Sequence, residues 1–128
     1  MRNTTFAVLV PALAVTCLAG LAQPAVAQQA GSRVVITQAM GMDEHVQVRG
    51  KVRSGDESCL KGRKVVVYDD AAPQGPSDGD AKIASARTTA AGRWSIADIA
   101  LPDRVYAVLK AKGSCGGDTS PTRMVDYM

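Results

Sequence analysis

Between residues 46 and 53 the chain runs Val-Gln-Val-Arg-Gly-Lys-Val-Arg. Val46, Val48 and Val52 fall on one parity, and Gln47, Arg49, Lys51 and Arg53 fall on the other. A two-residue apolar period is the mark of a strand with one face in a core and the other in water. No segment after residue 27 sustains a 3.6-residue period, so the body of the chain is expected to be all-β. Residues 33–37 read as a first strand. Val65, Val66 and Val67 form a continuous β-branched run, which predicts a strand covered on both faces. Residues 82–88 are a weaker strand. Thr89-Ala90-Ala91-Gly92 reads as a hairpin turn with Gly92 at positive φ. Residues 93–96 return from it with Trp94 and Ile96 on one face. Residues 104–112 place Val105, Ala107 and Leu109 on one parity, and residues 122–127 form a final strand. Gly50, on the apolar parity of its strand, marks a bulge or a close approach. Strands of this number, separated by turns at about 8–12-residue spacing, predict an antiparallel seven-stranded Greek-key β-sandwich.

The first 27 residues are read separately. Arg2 precedes an apolar stretch over residues 6–22, and Ala25-Val26-Ala27 supplies a small-residue cleavage site. This is the layout of a secretory signal peptide, which would leave 28–128 as a single domain. An uncleaved leader serving as an anchor is the alternative. Cys17 would suggest lipidation, but the preceding Ala14-Val15-Thr16 is a poor match to a lipoprotein signal. No second apolar run approaches the ~18 residues a membrane helix needs, so no transmembrane segment is expected after cleavage. Removing the leader removes Cys17 and leaves Cys59 and Cys115 in an exported chain where a disulfide persists. A closed loop of about 57 residues is worth roughly 4 kcal/mol in the chain-entropy model. The expected location is extracellular, periplasmic or cell-envelope.

The segments Val48-Arg49-Gly50-Lys51-Val52, Val65-Val66-Val67-Tyr68, Thr88-Thr89-Ala90-Ala91-Gly92-Arg93-Trp94-Ser95-Ile96 and Tyr106-Ala107-Val108 occur in that order. Their order resembles the prealbumin-like (transthyretin-like) sandwiches grouped with carboxypeptidase regulatory-like and Cna-B-type domains. The likeness covers residues 46–112. The paired cysteines resemble those of small secreted bacterial members. The resemblance implies the sandwich fold and allows several activities, each of which fails residue by residue. The Cna-B-type Lys–Asn cross-link needs an asparagine, and the only one, Asn3, lies in the leader. Transthyretin-related hydrolases use several histidines and a Tyr-Arg-Gly-Ser end. This chain has one histidine and ends Val125-Asp126-Tyr127-Met128. Regulatory domains of carboxypeptidases carry no catalysis of their own.

The remaining candidates are weighed on chemistry. His45 lies beside Asp43 and Glu44, and Ser54 or Ser58 could be imagined as a nucleophile. No nucleophile-elbow sequence supports either. Two cysteines and one distant histidine fall short of a tetrahedral metal set, so no metal or cofactor is expected. Asp69, Asp70, Asp78 and Asp80 share one long loop with hard oxygens suited to Ca²⁺, yet the loop lacks the EF-hand spacing and reads as solvated. Trp94 reads as core rather than as a sugar platform. Arg49, Lys51 and Arg53 line one strand face, with Lys61, Arg63 and Lys64 nearby in sequence. They are a solvated face or a site for an anionic partner. The whole chain carries 15 Lys and Arg against 12 Asp and Glu, a net charge of +3. So weak a balance, behind an export signal, argues against nucleic acid. The expectation is a secreted, non-enzymatic module that binds an extracellular or envelope protein or polymer; the alternative is a structural protein without a defined ligand.

Overall fold

A computed structural model of the chain describes residues 31–71 and 76–128, so the expected leader, residues 1–27, lies outside the described residues. The described residues form nine strands: β1 (Ser32–Gly41), β2 (Val46–Ser54), β3 (Lys64–Asp69), β4 (Ala81–Arg87), β5 (Arg93–Asp98), β6 (Arg104–Leu109), β7 (Asp118–Thr119), β8 (Arg123–Met124) and β9 (Asp126–Tyr127). They build two sheets. One has the order β5-β2-β1-β9, and the other has the order β4-β3-β6-β7, with β8 also pairing β6. All pairings are antiparallel except β1 with β9. Among the described residues no helix is long and apolar enough to cross a membrane.

The core lies between the sheets and follows strand parity. Val46, Val48 and Val52 face inward from β2, Trp94 and Ile96 from β5, Val65 and Val67 from β3, and Val105, Ala107 and Leu109 from β6. Val66 is buried as well, as the β-branched run predicts. On the outer face of its sheet Tyr68 stacks on Tyr106 at 5.4 Å between ring centroids. Residues 76–80 border that face, and the Tyr106 hydroxyl donates to Asp80 Oδ2 at 2.8 Å.

Three expectations change. The first strand does not stop at residue 37. The pairing with β2 slips between Ile36 and Gln38, a bulge at Thr37. An extra residue moves the buried set from Val34 and Ile36 to Ala39 and Gly41, and β1 continues on the opposite parity. The turn at residues 89–92 has the expected local form, with Gly92 at φ 82 and its N–H donating to the Thr89 carbonyl. It is not a hairpin, because β4 and β5 belong to different sheets and the turn carries the chain across the sandwich. The final strand divides into β8, paired to β6, and β9, paired to β1.

Gly50 is a close-approach position. A Cβ there would lie 2.1 Å from the Val35 carbonyl oxygen and 2.4 Å from the Trp94 ring, so the Trp94 ring packs where a side chain would stand.

Candidate functional site

The alternation that buries the valines of β2 turns Arg49, Lys51 and Arg53 to the opposite face. Register then decides their neighbours. Lys51 stands opposite Arg93 of β5, and Arg53 stands opposite Arg33 of β1. Arg49 faces the neutral residues Ser95 and Gln38. Like charges directly opposite one another in a sheet oppose folding, and opposite charges would favour it. Here β1, β2 and β5 place five cations on one outer face, two of the cross-strand pairs are cation on cation, and none of the outward residues of these strands is a carboxylate.

Beside this array lies a depression of about 510 Å³ lined by Thr37, Arg49, Gly50, Lys51, Arg87, Thr89, Arg93, Trp94 and Ser95. Two of the three expected cations, Arg49 and Lys51, line it. Arg53 lies one rung further along the same face beside Arg33 and is not part of the lining. The sequence reading missed Arg93 and Arg87. Arg93 comes into range through the β2–β5 register, and Arg87 sits at the end of β4 where the chain changes sheets. Trp94 is 4% exposed and belongs to the core as expected, although its Nε1 is buried without a hydrogen-bond partner.

The disulfide between Cys59 and Cys115 is formed, with Cα atoms 5.6 Å apart. Next to it Arg63 corrects the sequence reading. It is not a surface cation like Lys61 and Lys64 but is fully buried. Its Nη1 donates to the Cys59 carbonyl at 2.8 Å and to Ser32 Oγ at 3.2 Å. Its Nη2 donates to the carbonyls of Lys110 at 2.9 Å and Gly116 at 2.7 Å. One planar guanidinium thus ties the start of β1 and the end of β6 to both disulfide-bearing loops, a geometry a point-charge lysine cannot reproduce. Burial pulls the Arg63 pKa down from its ordinary value.

The opposite pole is acidic. Asp43 and Glu44 (between β1 and β2), Asp69, Asp70, Asp78 and Asp80 (β3 to β4), Asp98 and Asp103 (β5 to β6) and Asp126 (β9) gather nine of the chain's 12 acidic residues there. The Asp69 carboxyl is pushed up first by burial and then by the neighbouring charges of Asp103, Asp80 and Asp70. Two of the four expected loop carboxylates, Asp70 and Asp80, have partners within the fold. Asp80 accepts from the Ser77 N–H as well as from Tyr106, and Asp70 accepts from the Thr122 hydroxyl at 2.7 Å. Among the described residues no three His, Cys, Asp or Glu side chains converge to hold a metal ion. His45 lies exposed where β2 begins. Ser54 lies where β2 ends and donates to the Gly31 carbonyl, while Ser58 donates to Asp56. The fold therefore brings His45 to neither serine.

Comparison with known protein families and with curated proteins finds no match to this chain.

Proposed function

We propose that this chain is an exported, non-enzymatic binding module whose basic face, Arg49, Lys51 and Arg53 extended by Arg33 and Arg93, holds an anionic partner of the cell envelope or extracellular space. The observation that carries the reading is the pair of like-charge rungs, Lys51 opposite Arg93 and Arg53 opposite Arg33. An arrangement that works against the stability of the sheet is explained by what it binds, since natural sequences break local rules mainly at functional sites. Export follows the leader and its Ala25-Val26-Ala27 cleavage site, and the formed disulfide supports an oxidising location. The two-sheet architecture supports a prealbumin-like, Greek-key type of sandwich bearing this face. The second reading, a structural protein without a ligand, is favoured by the rigid disulfide and Arg63 tie at one pole.

Retention of the purified domain on an envelope polymer preparation tests the proposal. Binding at low ionic strength that is released by salt is expected, because exposed charges are screened beyond about 8–10 Å at physiological ionic strength. Retention indifferent to salt, or equal retention of an Arg49, Lys51 and Arg53 triple glutamine variant, would count against it. Mass spectrometry of the exported protein should find Gln28 at its N-terminus.

A further inference from the structure

We propose that the depression beside Arg93 takes an oxyanion-bearing sugar unit, so that the partner of the basic face is an acidic polysaccharide. This rests on the anionic-partner reading above and narrows it to one class of polymer.

The lining combines two chemistries. Arg49, Lys51, Arg87 and Arg93 are cationic donors with no accepting atom, while Thr37, Thr89 and Ser95 carry hydroxyls that both donate and accept. No carboxylate lines the depression. Guanidinium forks match the two oxygens of a carboxylate, sulfate or phosphate group. Hydroxyls match sugar hydroxyls, which donate and accept in turn. The volume of about 510 Å³ lies in the range of small-molecule sites, enough for a unit of a chain rather than a lone ion. Along β2 the Lys51–Arg93 rung and the Arg53–Arg33 rung are two residues apart, about 7 Å by strand geometry. A polymer lying along β2 would therefore meet fresh positive charge beyond the unit held in the depression.

What the face omits separates this partner from other polyanions. Single-stranded nucleic acid is held by exposed aromatic rings on which bases stack. Trp94 is buried, Tyr68 and Tyr106 lie on the other sheet, and Tyr127 is at the acidic pole. Protein partners are anchored by apolar and aromatic side chains at the centre of the contact. The exposed large apolar residues among those described, Ile99, Leu101, Met124, Tyr127 and Met128, all lie at or beside the acidic pole and none borders the depression.

Calorimetric titration at low ionic strength tests this with dextran sulfate, polygalacturonate, neutral dextran, poly-glutamate and oligothymidylate, compared at equal charge concentration. Both acidic polysaccharides are expected to bind, neutral dextran to be inert, and the acidic peptide and oligonucleotide to bind at least about tenfold more weakly. Arg93→Gln and Arg87→Gln should each weaken polysaccharide binding about tenfold, the loss of one charge-assisted hydrogen bond. Arg93→Gln relieves a like-charge neighbour, so its melting temperature should not fall. Arg87 stands opposite Lys64 on the other sheet and donates to the Gly62 carbonyl at 3.2 Å, so Arg87→Gln exchanges relief from a like charge for an exposed hydrogen bond and should melt close to wild type. Poly-glutamate or oligothymidylate binding as tightly as the polysaccharides would overturn the sugar assignment and leave the general anionic reading standing. Binding by both variants at wild-type strength would overturn the placement in the depression. No binding of any polyanion above neutral dextran would overturn both proposals.

Discussion

Replacing Arg63 by methionine keeps an aliphatic side chain in the cavity and removes the guanidinium fork. The carbonyls of Cys59, Lys110 and Gly116 then lose their donor. The bond to Cys59 is buried and bears the full penalty of an unmade hydrogen bond, about 1–3 kcal/mol. Those to Lys110 and Gly116 are partly buried and can recover some of the loss with water. Against this, the variant no longer has to desolvate a charge, a cost that amounts to several kcal/mol for a fully buried ion. The two effects oppose each other, and the expected net loss is about 1–2 kcal/mol, set against a typical domain stability of about 5–15 kcal/mol. Urea unfolding of the oxidised protein, followed by Trp94 fluorescence, measures it. Arg63→Lys should recover only part of the loss, since one ammonium cannot span acceptors on both sides. A cycle with Cys59→Ser and Cys115→Ser adds a sharper criterion. The disulfide and Arg63 hold the same loop, so opening either one should let that loop fray and lose part of what the other holds. The combined variant should therefore lose less than the sum of the separate losses, by about 1 kcal/mol. An Arg63→Met protein within about 0.5 kcal/mol of wild type would refute the clamp, and strict additivity would refute the shared loop.

Opening the disulfide alone, with both cysteines changed to serine, should lower stability by up to roughly 4 kcal/mol, read in the same unfolding experiment. Gly50→Ala should cost about 1–3 kcal/mol or more, because its Cβ would overlap the Val35 carbonyl and the Trp94 ring; an unchanged melting temperature would contradict that packing. Asp69 holds its proton more tightly folded than unfolded, so the stability it contributes is complete below its ordinary value and is lost as pH rises through the raised one. Asp69→Asn should accordingly melt higher than wild type at neutral pH, with the gap closing in acid. Tyr106 is pushed up to about 12, first by burial and then by the hydrogen bond to Asp80. Its contribution is present below the unfolded value near 10 and is lost between there and about 12. Burial also raises Tyr127, so tyrosinate absorbance should show late ionisation of both, and only the step near 12 should move down in Asp80→Asn.

The strands legible in the sequence are those whose parity is unbroken. In β2 and β5 the apolar residues recur at every second position, and the structure buries those residues, while β6 is an apolar run buried continuously over residues 105–107. The missed half of β1 follows the Thr37 bulge, which switches Val34 and Ile36 to Ala39 and Gly41 and removes the alternation that would have announced it. Parity gives a residue its face but not its partner. That is why Arg93 could not be joined to Lys51, and why residues 122–127 did not show that they serve both sheets. Arg63 was illegible for another reason. Its partners are mainly backbone carbonyls, which every residue carries, and a charged residue between Lys61 and Lys64 has the local pattern of a surface.

The separation of acidic pole from basic face gives this domain a large electric dipole behind a small net charge. A neutral-looking particle with a strong dipole responds to field gradients more than to potential. Near a negatively charged matrix it experiences a torque before it experiences much attraction, turning the rungs of β2 inward and the Asp-rich loops outward. Encounters are thereby biased in orientation within a Debye length of about 8 Å at physiological ionic strength. In a column at low salt the same molecule should be retarded by both cation- and anion-exchange resins, each holding a different end. A net charge of +3 for the chain describes a weak, uniform base that no approaching molecule would meet.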